Sequence, residues 1–274
     1  MKKKIFILGS SGFLGQKIKK ELKNNFHFCT SHNKKKRKNF LKNEKLFQHF
    51  IRRNKIDVII NLAREKSLIN CKTINNLIIK NAKKYKYKVI YISSCLVYGK
   101  NKNICNEKTK VNPYDKYTKM KCYVEKLLFF SKINYKILRL SNVYDNDFQK
   151  KGLIKNLHLN LINKVNHVYI NDNKIYRNFI HYVDFLKTLK KLINNYERIK
   201  PTIINCGNEN IKISHLIKEM SNIYKKDLKI VKNTKTYFDP SIKISNRLNN
   251  SIFKINNKTN LFKHLKKIHY EKFF

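Results

Sequence analysis

The sequence predicts an α/β protein with a doubly wound parallel sheet and a smaller C-terminal lobe. Short apolar runs rich in β-branched residues alternate with segments that carry apolar residues at helical spacing. Runs such as 5–8 and 58–60 are apolar without interruption, which is typical of parallel strands covered by helices on both faces. Strands are predicted at 5–8, near 26–29, and at 57–60, 88–92 and 136–140, and helices at 13–22, 73–84 and 117–130.

The amino-acid composition narrows the classes of function that the protein can have. The chain has 274 residues, of which 42% are hydrophobic, and 62 Lys and Arg against 17 Asp and Glu give a formal net charge of +45. Such a charge points to nucleic acid, anionic membranes or polyanionic substrates. The lysines are spread along the whole chain, however, and the scarcity of Gly, Pro and Trp is typical of an AT-rich genome. We therefore attribute the charge to drift and expect neither a nucleic-acid nor a membrane partner.

Cysteine spacing and the N-terminus indicate a cytoplasmic protein. The six cysteines form no CxxC pair, so we expect no metal site and no disulfide framework. The basic and then apolar start imitates a secretory signal, but Gly9 and Gly12 interrupt it directly after the four apolar residues 5–8. No stretch approaches the ~18 apolar residues of a membrane span.

A glycine motif lies between the first predicted strand and the first predicted helix, in the segment Gly9-Ser10-Ser11-Gly12-Phe13-Leu14-Gly15. Glycines there permit a tight turn and let backbone N–H groups approach a pyrophosphate at the helix N-terminus. The motif therefore predicts a Rossmann-like dinucleotide site. The residues expected to contact the cofactor are Gly9, Ser11, Gly12, Phe13, Leu14 and Gly15.

Tyr117 and Lys121 form the candidate chemical centre. Four residues apart on a predicted helix, they lie on one face, and the ammonium can favour the ionised phenol over its ordinary pKa of about 10. A tyrosine tuned in this way can exchange a proton with a sugar hydroxyl while a hydride passes to or from a nicotinamide. In the alternative register Tyr114 has Thr118 four residues on, which supplies no cation, so Tyr117 is preferred.

Several segments, in the right order over residues 5 to about 210, resemble the extended short-chain dehydrogenases that reduce, epimerise or dehydrate nucleotide sugars. They are the glycine motif, DVIINLA at 57–63, YISSCLVYG at 91–99, NPYDKYTKMK at 112–121, ILRLSNVY at 137–144, RNFIHYVD at 177–184 and NCG at 205–207. The resemblance implies a nucleotide-sugar substrate and leaves a homodimer open. It also implies a cofactor-binding core over 1–147, completed by about 178–208, and a substrate lobe formed by 148–177 and 209–274.

The resemblance also implies roles for single residues. Ser94 would hydrogen-bond the substrate oxygen beside Tyr117, with Ser93 as the fallback if the strand register slips by one. Lys121 would also hold the nicotinamide ribose. The segment Asn61, Leu62 and Ala63 would touch the cofactor.

The substrate side follows from the same resemblance. Arg177 would grip the pyrophosphate of the nucleotide sugar, a task that suits a planar guanidinium. Asn142 and Arg247 are further candidate substrate contacts. His181 is expected to be a structural histidine rather than a lining residue.

Two departures from the family pattern narrow the chemistry. Dehydratases carry an Asp-Glu pair after the catalytic Ser or Thr, where this chain has Cys95 and Leu96, so dehydration is disfavoured. The end of the second strand lacks an acid for the NAD ribose and instead offers Ser31 and the basic run 34–38. NADP is therefore preferred to NAD.

The sequence thus predicts an NAD(P)-dependent 4-keto reductase or epimerase of nucleotide sugars, in surface-polysaccharide or deoxysugar biosynthesis. A competing hypothesis is a Rossmann-like binding protein without catalysis, whose basic surface binds nucleic acid or anionic membrane. The joint presence of Ser94, Tyr117 and Lys121 favours the enzyme.

Overall fold

The computed structural model describes residues 1–29, 43–64, 67–101, 103–146, 152–163, 165, 167–170, 172–232, 240–256 and 258–273. The chain divides into two compact units. The first comprises 1–97, 113–139 and 189–204, and the second comprises 98–112, 140–188 and 205–274. The predicted use of 148–177 and 209–274 as a substrate lobe stays a prediction.

Strands and helices alternate through the first half of the chain. The strands are β1 (Lys4–Leu8), β2 (His27–Cys29), β3 (Val58–Asn61), β4 (Lys88–Ser94), β5 (Tyr135–Leu140), β6 (Asn142–Tyr144), β7 (His167–Ile170), β8 (Tyr176–His181), β9 (Ile203–Cys206), β10 (Glu209–Lys212) and β11 (Lys229–Lys232). The helices are α1 (Phe13–Leu22), α2 (Glu44–Asn54), α3 (Leu68–Tyr85), α4 (Lys116–Phe130), α5 (Leu153–Ile162), α6 (Tyr182–Asn194), α7 (Ile213–Tyr224), α8 (Arg247–Phe253) and α9 (Leu261–Phe273).

The central sheet has six strands in the order β2-β1-β3-β4-β5-β9. Strand β1 pairs in parallel with β2 and β3, and β3 pairs in parallel with β4. The predicted α/β fold with a parallel sheet is confirmed. Because the strand order reverses at β1 and β3, the carboxyl ends of these two strands border the crevice where ligands bind in doubly wound sheets.

Helix α2 lies between the predicted strands β2 and β3 and was not predicted from the sequence. Its N-cap residue Asn43 accepts a hydrogen bond from the Leu46 backbone N–H at 3.1 Å. Two of its side chains, Phe47 and Ile51, are buried among the strand and helix residues of the core. Phe47, Phe50 and Ile51 recur at helical spacing and pack on the core, so the sequence does carry a helical periodicity here.

The second unit has its own sheets and its own core. A three-stranded sheet has the order β10-β8-β6, and a parallel two-stranded sheet pairs β11 with β7. Its core includes Leu157, Leu216, Met220 and Leu261. In the described ranges, no helix combines the length and apolar character needed to cross a membrane.

A buried ion pair joins three elements of the first unit. Glu125 of α4 accepts a hydrogen bond from Arg139 Nη2 of β5 at 2.7 Å, and the Ser93 hydroxyl of β4 donates to Glu125 Oε1 at 2.5 Å. All three residues are buried. Their bonds hold β4 and β5 in a defined register against α4.

We expect Glu125→Ala to lower the free energy of unfolding by about 3 to 5 kcal/mol, because the Arg139 guanidinium then stays buried without its carboxylate. Urea denaturation at constant pH measures the change. The control is Glu44→Ala, which removes the exposed ion pair with Lys80 and should hardly move the midpoint. Equal losses in the two variants would contradict the prediction.

Candidate active site

The glycine turn follows β1 and is built for close backbone approach. Gly9 has φ +83°, a left-handed conformation that suits glycine, and its carbonyl accepts a hydrogen bond from the Gly12 N–H at 3.0 Å. A Cβ on Gly15 would lie 2.4 Å from the Gly9 carbonyl oxygen and 2.6 Å from the Ser10 Cα. No side chain caps helix α1 at Gly12, so its first N–H groups can bind the phosphates of a dinucleotide.

The end of β3 lies against this turn. A Cβ on Gly9 would meet the Leu62 carbonyl carbon at 3.2 Å and the Ala63 nitrogen at 3.3 Å. Asn61 is buried; its Oδ1 accepts from the Ala63 N–H and its Nδ2 donates to Asn75 Oδ1, both at 3.0 Å. The Asn61 side chain therefore shapes the turn that borders the predicted cofactor site, and its direct contact with a cofactor stays a prediction.

The two serines at the end of β4 have different partners. Ser93 bonds Glu125, whereas the Ser94 hydroxyl hydrogen-bonds the Tyr117 side chain and also accepts from the Leu96 N–H at 3.2 Å. Successive side chains of a strand point to opposite faces. The structure therefore brings Ser94, rather than the fallback Ser93, to the candidate tyrosine.

The start of α4 separates the two tyrosine registers. Asp115 is the N-cap, and it forms a capping box with Thr118, whose hydroxyl also accepts from the Tyr114 N–H at 3.1 Å. Tyr114 precedes the helix and Thr118 is used in the cap. Tyr117 and Lys121 lie on one face, with the Lys121 Nζ 5.7 Å from the Tyr117 ring centroid.

The electrostatics of Tyr117 differ from the sequence expectation. Burial raises the pKa of Tyr117 above its ordinary value, whereas the hydrogen bond with Ser94 and the charge of Arg64 act to lower it. Lys121 Nζ donates to the Ile92 carbonyl at 2.8 Å and lies 4.7 Å from the Tyr91 ring centroid. Burial lowers the pKa of Lys121 to about 8. The expectation that a neighbouring lysine brings the pKa of Tyr117 below its ordinary value is therefore not met, because burial outweighs the hydrogen bond with Ser94 and the charge of Arg64.

A small cleft that is open to solvent lies beside these groups. Its lining includes Asn61, Ala63, Arg64, Tyr91, Tyr117 and Lys121. The glycine turn fits a dinucleotide because its backbone admits phosphates at the start of α1, and the cleft beside Tyr117 is lined in part by Asn61 and Ala63, which border the same turn.

Arg64 is the site residue that sequence reasoning missed. Its guanidinium carbon lies 5.1 Å from the Tyr117 ring centroid. The available signal was its position directly after the Asn61-Leu62-Ala63 segment, at the carboxyl end of a strand that borders the crevice.

The candidate substrate residues belong to the second unit. Asn142 Nδ2 donates to the Asn178 carbonyl at 3.0 Å, between strands β6 and β8. Arg177 is buried, and its Nη1 donates to the backbone carbonyls of Tyr176 and Pro240. Arg247 is exposed at the start of α8. Their substrate roles stay predictions.

His181 and Ser31 complete the predicted set. His181 Nε2 is 2.7 Å from Asn146 Oδ1, and its ring packs 4.5 Å from the His264 ring, centroid to centroid. These contacts agree with a structural histidine. Ser31 and the basic run 34–38 lie outside the described residues.

The fold and this site together define a class, the dinucleotide-dependent α/β enzymes. The model of the NAD dependent epimerase/dehydratase family matches residues 5–207. The chain therefore belongs to that family, and the resemblance found in the sequence is confirmed. No curated protein matches the sequence.

Solved structures share the fold at low identity. UDP-glucuronic acid 4-epimerase from Bacillus cereus, in complex with UDP-glucuronic acid and NAD, has a TM-score of 0.79 and 18% identity, over 98% of this chain and 99% of that one. The dTDP-glucose 4,6-dehydratase from Bacillus anthracis, in complex with NAD, has a TM-score of 0.78 and 18% identity, over 98% and 97%. RMD from Pseudomonas aeruginosa, complexed with NADPH, has a TM-score of 0.77 and 16% identity, over 98% of both chains.

We expect Gly15→Ala to abolish dinucleotide binding, because the added methyl collides with the backbone of Gly9 and Ser10 and displaces the turn. Calorimetric titration with NAD and with NADP measures the loss. Lys19→Ala, farther along the same helix, is the matched control and should bind the dinucleotide normally. Undiminished binding by Gly15→Ala would contradict the proposed site.

Proposed function

We propose that this protein epimerises a nucleotide sugar at C4 or reduces its 4-keto form, in surface-polysaccharide or deoxysugar biosynthesis. The observation that carries the proposal is the contact of Tyr117 with Ser94 and the nearby Lys121, beside a cleft at the carboxyl ends of β3 and β4. The family membership supports nicotinamide chemistry. The contact of these three side chains also argues against the alternative of a binding protein that has lost catalysis.

Each of the three side chains has a separate task in this proposal. Tyr117 exchanges a proton with the hydroxyl or keto oxygen of the sugar, and Ser94 orients that oxygen through a hydrogen bond. The Lys121 ammonium, held by the Ile92 carbonyl, binds the cofactor ribose. When bound, the nicotinamide accepts or supplies the hydride.

The neighbourhood of Ser94 supports reduction or epimerisation over dehydration. Loss of water from a sugar needs an acid to protonate the leaving hydroxyl and a base to abstract the neighbouring proton. The residues after Ser94 are Cys95, which is buried, and Leu96. Neither is an acid at neutral pH.

The proposal that the substrate is a nucleotide sugar is supported by the chemistry of the candidate binding residues and by solved structures that share the fold. Structures that share the fold contain enzymes named for UDP- and dTDP-linked sugars. Arg177 is the proposed ligand of the pyrophosphate, since a planar guanidinium suits the bidentate recognition of phosphate oxygens. Asn142 and Arg247 are proposed as further substrate contacts.

We propose NADP as the preferred cofactor, and expect calorimetry at physiological salt to show tighter binding of NADP than of NAD. The reason is the segment around Ser31, which offers no acid to repel the 2′-phosphate and is followed by the basic run 34–38. Binding of NAD at least as tight as that of NADP would overturn the preference and would favour the epimerase over the reductase.

The reaction is tested with a panel of nucleotide sugars. Oxidation of NADPH by 4-keto nucleotide sugars, followed at 340 nm, identifies a reductase, whereas interconversion of 4-epimers without net loss of reduced cofactor identifies an epimerase. Activity with neither class would contradict the proposal.

We expect Tyr117→Phe to lower turnover by about a hundredfold or more, the usual effect of losing a general acid, with folding and cofactor binding retained. Steady-state kinetics on the substrate found with the panel measures the loss. Lys121→Met should reduce both turnover and cofactor affinity.

Tyr114→Phe is the matched control for the same helix start, and it should keep most of the activity. Near-normal turnover of Tyr117→Phe would show the assignment to be wrong, and loss of activity in Tyr114→Phe instead would move the role to Tyr114.

A further inference from the structure

Arg64 is presented to the candidate site by a fixed turn. The Ala63 N–H donates to Asn61 Oδ1, and Asn61 in turn donates to Asn75, whose Nδ2 donates to the Cys71 carbonyl at 2.8 Å. This chain of hydrogen bonds anchors the backbone next to Arg64 to helix α3. The Arg64 guanidinium lies over the Tyr117 ring at 5.1 Å and lines the same cleft as Tyr117.

The Arg64 guanidinium acts on the pKa of Tyr117 in the opposite direction to burial and to two of the groups around that tyrosine. Among the residues that the structure describes, the titratable groups that face Tyr117 are Arg64, Tyr91, Cys95, Asp115 and Lys121. Cys95 and Asp115 raise its pKa, as burial does, whereas Arg64 lowers it. Of these groups, only the two cations can stabilise a phenolate by charge.

Lys121 and Arg64 keep their positive charges over different ranges of pH. Burial lowers the pKa of Lys121 to about 8, and the Arg64 charge acts in the same direction on Lys121. Lys121 therefore begins to lose its charge in mildly alkaline solution. A guanidinium keeps its charge at every pH at which a protein is folded, so Arg64 acts as a cation where Lys121 no longer does.

We propose that Arg64 is a positioning residue for Tyr117. The Arg64 guanidinium stacks on the tyrosine ring and stabilises the phenolate formed when Tyr117 gives up its proton. The inference rests on the proposed role of Tyr117 as general acid and base. Arg64 orients the ring by cation–π contact and contributes a permanent charge at the mouth of the cleft. Arg64 acts through Tyr117 and has no proton to exchange itself.

The direct test is the titration of Tyr117 in the protein without substrate. Protein labelled with ¹³C at the tyrosine Cζ is titrated by NMR between about pH 8 and 12, because burial raises the pKa of Tyr117 above its ordinary value and ionisation moves this carbon's resonance. The chain has 16 tyrosines, and the signal of Tyr117 is assigned by its absence in Tyr117→Phe.

Arg64→Gln should move the ionisation of Tyr117 to higher pH, since a cation that favours the phenolate is removed. Arg64→Lys, which restores a positive charge, should return it towards the wild-type position. Arg53→Gln removes an exposed arginine of α2 and is the matched control for net charge; it should leave the titration unchanged. Arg64→Met gives a second neutral variant, and thermal unfolding checks that every variant folds.

Kinetics give a second readout that a purely structural role would not move. With the substrate found by the panel, Arg64→Gln should lower kcat at neutral pH by about tenfold. It should also shift the alkaline limb of the plot of kcat against pH to higher pH. Arg64→Lys should recover most of the rate.

The inference is overturned if Arg64→Gln and Arg64→Met leave the titration of Tyr117 in place, or if Arg53→Gln moves it equally. A change in cofactor affinity without a shift in the pKa of Tyr117 would overturn the inference as well, and would make Arg64 a cofactor ligand. Since the NMR titration needs no substrate, a moved titration in a protein that turns over no sugar nucleotide would refute the proposed function and leave this inference standing.

Discussion

The position of the candidate site depends on one buried carboxylate. Glu125 binds Arg139 of β5 and Ser93 of β4 from its place on α4, and so connects three elements that are distant in sequence. A buried charge is stable only when its partners are in place. The strand register that brings Ser93 to Glu125 also turns Ser94 to the other face, where Tyr117 lies.

Desolvation governs the chemistry of the site that this register creates. Burial raises the pKa of Tyr117 and lowers that of Lys121 to about 8. Both shifts favour neutral side chains, so the site as built disfavours the charged pair that a simple pairing of tyrosine and lysine predicts. A hydroxyl from Ser94 and a permanent charge from Arg64 oppose that tendency at the tyrosine. The balance between burial and nearby charge, rather than either alone, determines how readily Tyr117 exchanges a proton.

The fold was largely predictable because its signals are local. Strand β3 is buried at every position, so it reads as an uninterrupted apolar run, and helix α1 has the predicted bounds from Phe13 to Leu22. Helix α2 was not predicted, although Phe47, Phe50 and Ile51 recur at helical spacing within it. The same family fold supports reductases, epimerases and dehydratases, so the fold by itself leaves the reaction open, and the side chains at the strand ends narrow it.

The sequence by itself located the groups of residues that short spacing brings together: the glycine turn from Gly9 to Gly15, and the pair Tyr117 and Lys121 four residues apart on one helix. Only the tertiary structure decided between Ser93 and Ser94, because the choice depends on the partner that each finds across the sheet. It also revealed Arg64, 53 positions before Tyr117, and reversed the expected pKa shift of that tyrosine. The physical reason is the same in each case: spacing along the chain places neighbours on one face of an element, whereas burial and long-range charge exist only once separate elements have packed together.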